Sequence, residues 1–177
     1  MENQASSKSI ILNNGFYLGL TLVLINLIMY AAGMHLSTLG GTINLGVLAI
    51  GLIVFPVLGI SKFKKSTGGY LTWGQGLKVG VGIVTIGALI SIIYSHIFTG
   101  FIEPEFYTQL EEFTRGQLMD AGLTSEQIEK QLETQSKFQG TITGDAIGLL
   151  FYIFIGFVVS AIVSAISKHS KEDDNKF

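Results

Sequence analysis

His96 and Asp145 are the residues best suited by type to move a proton: an imidazole that titrates near neutrality and a carboxylate that can hold it. Lys78 is the third candidate. It lies 18 residues before His96, about five helical turns, so on a helix the two share a face with Thr85 between them. Such a face could line a polar path across a membrane. The plainer expectation is that Lys78 snorkels to headgroups and that His96 reaches interfacial water. The three histidines, His35, His96 and His169, do not cluster in sequence, and the chain has no cysteine, which excludes a disulfide framework and a Cys-based metal site. Neither a P-loop nor an H-E-x-x-H pattern occurs. No cofactor, metal or nucleic-acid partner is expected.

The elements that must position these groups follow from where charge is missing. Only 14% of the 177 residues are charged and 48% are hydrophobic. No Asp, Glu, Lys or Arg occurs from Ser9 to Ser61, from Val79 to Ile102, or from Ala146 to Ser167. A bilayer core needs about 20 apolar helical residues, so the first run holds two spans and the others one each. The spans read as residues 11–33, 43–60, 77–99 and 143–166, in one membrane domain, 1–177. Runs such as Phe151-Tyr152-Ile153-Phe154-Ile155 are apolar on both faces of a strand, which favours helices over a barrel. The first apolar region is longer than a signal peptide's and reads as a span. Gly40 and Gly41 are expected to turn the chain between spans one and two with positive φ, and Pro56 to kink span two.

Lysine placement sets the orientation. Lys8, Lys62, Lys64, Lys65, Lys78, Lys168, Lys171 and Lys176 fall on one side; Arg115, Lys130 and Lys137 fall on the other, all in residues 100–142. The positive-inside rule then puts both termini in the cytoplasm. The 100–142 segment carries eight acids against three basic residues. Pro104 could open a helix, Gly122 could stop it, and Thr124-Ser125-Glu126-Gln127 fits a capping box. The expected fold is an all-α integral membrane protein of four transmembrane helices, with an acidic helical hairpin outside the membrane between spans three and four.

Small and polar residues within the spans read as packing. Gly15, Gly19, Asn26 and Gly33 lie within about 40° of one another on a helix. Small residues let helices approach and an amide bonds across, so Asn26 is expected to be the one strong hydrogen-bonding side chain deep in a span and to act in packing. Gly76, Gly80, Gly87 and Ser91 form a comparable strip on span three, and Gly144, Gly148, Gly156, Ser160 and Ser164 recur on span four. Such strips glue a bundle or an oligomer. His96 leaves the membrane where Asp145 enters it, so both sit at similar depth. If the two helices are neighbours, the residues could form a pH-sensitive latch; the alternative has Asp145 favouring its own helix N-terminus.

The order of Gly69-Tyr70-Leu71-Thr72-Trp73-Gly74-Gln75-Gly76-Leu77-Lys78, Tyr94-Ser95-His96-Ile97-Phe98, Phe101-Ile102-Glu103-Pro104-Glu105-Phe106 and Leu123-Thr124-Ser125-Glu126-Gln127-Ile128-Glu129-Lys130 resembles a bacterial family of membrane proteins, the domain of unknown function 4199. The resemblance runs over nearly the whole chain. It implies four spans and a similar outer segment in a bacterial inner membrane, and brings no activity or site residues. The expected function is that of a non-enzymatic accessory or interaction subunit, in contact with lipid and with a membrane protein partner or further copies of itself. The alternatives are a small oligomeric transporter or channel using the Lys78–Thr85–His96 face, and a membrane enzyme with His96 and Asp145 as acid–base groups.

Overall fold

The structure, a computed structural model, describes residues 2–169. These described residues form six α-helices: α1 (Glu2–Ala31), α2 (Thr38–Ser66), α3 (Trp73–Ile97), α4 (Phe106–Asp120), α5 (Ser125–Ser136) and α6 (Ile142–Ser167). A single π-helical turn, Phe98–Ile102, continues α3. Four helices are long and apolar enough to cross a membrane, spanning Ser7–Ala31, Thr38–Ser66, Trp73–Ile102 and Ile142–Ser167. Large apolar side chains such as Leu150, Phe151 and Phe154 are more than 60% exposed on α6. Water would not support that face, and lipid does. The chain is a multi-pass membrane protein.

Local chemistry sets the ends of these helices. Gly33 (φ 67°) closes α1 and Gly122 (φ 82°) closes α4. Each permits the paired backbone bonds of a Schellman stop, Met34 N–H to Met29 O and Leu123 N–H to Leu118 O. Thr72 with Gln75 and Thr124 with Gln127 form reciprocal capping boxes at α3 and α5. Pro104 falls in the turn before α4, which begins at Phe106.

Gly40 and Gly41 depart from expectation. Both lie inside α2, whose N-cap is Ser37, and neither has positive φ. Gly40 is small for another reason: a Cβ there would lie 2.9 Å from the carbonyl carbon of Met34 and closer still to its oxygen. Gly144 of α6 stands in the same relation to Phe138, behind the N-cap Thr141. In both turns the N-cap hydroxyl donates back to the carbonyl that presses on the glycine. α2 also runs past residue 60 to Ser66, because lysines at a span's end can snorkel, and it continues unbroken through the buried Pro56.

α3 is the central helix, with α1, α2 and α6 packed on it. The core comprises Leu18, Leu52, Ile60, Phe63, Leu71, Val79, Ile83 and Val84. Glycines set the seams. Gly15 and Gly19 of α1 face Ile86 and Ile90 of α3, and Gly59 of α2 faces Ile83. The glycine strip of α3 divides between two neighbours: Gly76 and Gly80 face Ser164 and Ser160 of α6, whereas Gly87 faces Leu18 of α1. Gly156 faces Val84, and Gly148 faces open space. Apart from Gly33 and Gly148, which meet nothing within 4 Å, the glycines of these strips pack within the chain itself.

One end of the bundle gathers Lys62, Lys64, Lys65, Lys78 and Lys168; there Leu71 and His169 form an antiparallel bridge and Tyr70 stacks on the His169 ring. Lys171 and Lys176 lie outside the described residues. The other end gathers the α1–α2 turn, the π-turn, α4, α5 and the start of α6.

Candidate functional site

Two of the three functional candidates, His96 and Asp145, meet at that second end. α3 and α6 are neighbours, and the His96 imidazole Nε2 lies 2.7 Å from the Asp145 carboxylate Oδ2. Their side chains are 49% and 30% exposed, so the pair sits at the rim and not in the core. Asp145 is in the first turn of α6, but Thr141 caps that helix, which leaves the carboxylate for His96. A histidine held by a carboxylate is two-thirds of an acid–base triad. Among the described residues no hydroxyl bonds the other ring nitrogen. Lys78 is exposed at the opposite end of α3, and the Thr85 hydroxyl donates to Val81 O of its own helix. None of Lys78, Thr85 and His96 lines the cleft between α1, α2 and α3.

The structure brings together residues that sequence spacing did not reveal. Asn26 Oδ1 accepts from Tyr94 Oη at 2.7 Å, tying α1 to α3. Asn14 is a second amide deep in α1, only 3% exposed. Its Nδ2 donates to Ile10 O and its Oδ1 accepts from Lys62 Nζ at 3.3 Å, so a lysine reaches back to satisfy a buried amide. Asn26 is therefore not alone in the spans. Glu103, just past the π-turn, joins three segments: one oxygen accepts from Tyr30 Oη of α1 at 2.9 Å, and the other from Gln109 Nε2 of α4 at 2.8 Å. Gln117 of α4 donates to Thr38 of α2 at 3.1 Å. Beneath lies an aromatic cluster in which Phe98 meets Tyr30 and Phe106 edge-on, and His35 stacks on Phe106. Both His35 ring nitrogens are buried without a hydrogen-bond partner among the described residues.

Arg115 binds α4 to α5, donating to Glu111 at 3.1 Å and to Glu129. The Arg115 guanidinium holds the Glu129 carboxyl below its ordinary range, and the carboxylates push Arg115 up. A depressed carboxyl contributes stability above its unfolded value, so this link is lost only as pH falls through the lowered one.

Below the aromatic cluster, a cleft of about 400 Å³ opens between α1, α2 and α3. Its polar lining is neutral: Asn26, Asn44, Ser91, Tyr94, Ser95 and Thr99. No group of three or more His, Asp or Glu that could hold a metal occurs among the described residues.

A family model described as a protein of unknown function, DUF4199, matches residues 13–169. The chain belongs to the DUF4199 family. The match takes in all four spans' cores, α4 and α5, and every residue named in the rim and the cleft of this DUF4199 member. No curated protein and no solved structure matches the chain.

Exposed side-chain pairs of the His96–Asp145 kind contribute at most about 1 kcal/mol, typically 0.2–1 kcal/mol. His96→Gln, Asp145→Asn and the double variant should therefore show a coupling energy in that range by thermal unfolding in mild detergent. Strictly additive losses would mean that the two side chains do not stabilise one another.

Proposed function

We propose that this DUF4199 member is a non-enzymatic accessory protein of a bacterial inner membrane, with both termini cytoplasmic, that presents α4 and α5 outside the membrane as a fixed acidic docking face for a basic protein surface. The observation that carries this reading is the Glu103 junction. It fastens the start of α4 to α1 while Gln117 fastens its middle to α2, so the two short helices hold one pose. Arg115 and Lys137 are committed to carboxylates within the segment. Glu105, Glu112, Asp120 and Glu126 remain exposed. A negative face is repelled by anionic lipid, which favours a protein partner. The glycine strips support the same reading, since they are used in holding the chain's own helices together.

The first requirement is orientation. Single cysteines at Ser66 and Glu126 should label from opposite sides of the membrane, and labelling of both from one side would end the proposal. The second is contact. A photocrosslinker at Glu112 in living cells should give one discrete adduct with another protein, and Glu126→Lys should weaken it. Adducts only with lipid or with a second copy of the chain would replace the accessory role.

A further inference from the structure

The cleft holds hydrogen-bond donors that the protein does not use. Asn26 spends its carbonyl oxygen on Tyr94, which turns its two N–H groups away from that bond, and they have no acceptor among the described residues. Asn44, on α2 across the cleft, makes no side-chain hydrogen bond among them. Ser91 and Thr99 donate to Gly87 O and Ser95 O of their own helix, so the amides hold most of the unspent donors. The Ser95 and Tyr152 hydroxyls are two further donors with no acceptor among the described residues, and the remaining walls are apolar, with Leu22, Leu45 and Leu48 among them. Both asparagines lie within helices that are long and apolar enough to span the membrane. An unsatisfied amide at that depth is costly.

The cleft exists because α2 stands off there. Between Gly40 and Gly51 no residue of α2 is buried, and Leu45 is 66% exposed, whereas the helix is packed at Gly40 and again from Gly51 onward. Asn26 is five residues from the end of α1 and Asn44 six from the start of α2, so the two lie roughly 7.5–9 Å inside neighbouring helix ends at about 1.5 Å per residue. A volume of about 400 Å³ is at the small end for ligand sites. That scale suits a single acyl chain and its carbonyl. No lining residue carries a charge, so nothing there would hold a free carboxylate or a phosphate.

We propose that this cleft binds one acyl ester: the ester carbonyl accepts from the Asn26 and Asn44 amides, and the chain lies along the apolar walls. The acyl ester could belong to a monoacylglycerol or be one arm of a bilayer phospholipid, and the same chemistry recognises both.

The test uses the full chain in nanodiscs of diether phosphatidylcholine, whose chains carry no ester, with a dodecanoyl monoacylglycerol bearing a diazirine on its chain. Photolabelling should fall on the α1 and α2 segments around Asn26 and Asn44, and unlabelled monoacylglycerol should compete. The matching alkyl glycerol ether, which lacks the carbonyl, should compete about ten- to a hundredfold less well, the scale of two lost hydrogen bonds. Asn44→Leu removes a side chain that makes no hydrogen bond among the described residues. It should weaken the ester about three- to tenfold, the scale of one lost bond, and leave the ether unchanged. Asn26→Leu should do the same while also losing the Tyr94 bond, so a variant that unfolds does not decide the matter while Asn44→Leu can. Competition by phosphatidylethanolamine would assign the ester to a structural lipid, and its failure to compete would assign it to a monoacyl species; either supports acyl-ester recognition. Equal competition by ester and ether, or labelling spread over outward α6 positions such as Phe151, would overturn it.

Discussion

Gly80→Ala should destabilise the bundle sharply, and Ser160→Gly in the same chain should restore most of the loss. A Cβ on Gly80 would stand 2.7 Å from Ser160 Cβ, with the hydroxyl oxygen closer still, and 3.2 Å from Ile60 Cδ1 on its other side. The hydroxyl can rotate, but Ser160 Cβ cannot retreat without moving α6. Ser160 is fully buried, so no solvent gap is available to absorb the shift. In a membrane, helices are held mainly by close packing, since lipid is as apolar as the side chains it touches. Forcing a methyl into such a seam costs about 1–3 kcal/mol. Gly148→Ala is the control, because nothing lies within 4 Å of the added carbon. Helix propensity alone would then make Gly148→Ala neutral or stabilising by up to about 1 kcal/mol. Thermal unfolding followed by circular dichroism in detergent separates the cases. Equal effects at positions 80 and 148, or no rescue by Ser160→Gly, would show that the α3–α6 seam is not set by this contact.

The spans were legible because the charge-free runs match what a bilayer requires of a helix. Their ends were not, because the physics there differs: Lys62, Lys64 and Lys65 are compatible with helix as long as their amines reach polar surroundings, and α2 includes them. The paired glycines at 40 and 41 look like a turn in sequence. Only the fold shows that Gly40 is small to admit the Met34 carbonyl. Periodicity placed Gly15, Gly19 and Asn26 on one face of α1, and all three meet α3. It could not divide the α3 strip between α1 and α6, since a helical wheel does not say which neighbour lies where. His96 and Asp145 could be set at one depth by counting through the spans, but their 2.7 Å contact required α3 and α6 to be adjacent. Asn14 with Lys62 and Tyr30 with Glu103 are pairs separated by 48 and 73 residues, and no local spacing encodes them. Asn44 lacks even a hydrogen-bond partner among the described residues, and its interest arises only from the cleft it faces.

Glu103→Ala should free α4 and α5 from the bundle without unfolding the four spans. Both carboxylate oxygens of Glu103 are engaged, one by Tyr30 and one by Gln109, so its removal strands two donors at once. The core residues of the spans make no contact through Glu103, and the glycine seams lie elsewhere. The loss is therefore local, in the sense that a peripheral unit opens while the packed core stays closed. Tryptic cleavage at Arg115 and Lys130 should accelerate by on the order of tenfold, the scale expected when a charge-assisted hydrogen bond is lost. The melting of the spans should move little. Glu103→Gln separates charge from connectivity. Its amide oxygen can still accept from Gln109, while its amide nitrogen must face the Tyr30 hydroxyl as a donor, so cleavage should fall between wild type and Glu103→Ala. The photocrosslink at Glu112 should fade in the same order, because a docking face that tumbles no longer presents its acids in one pose. Unchanged cleavage in Glu103→Ala would mean that the aromatic contacts of Phe106 with Phe98 and His35 suffice to seat α4. Cleavage that rises while the crosslink persists would remove the fixed pose from the proposed function and leave only the charge.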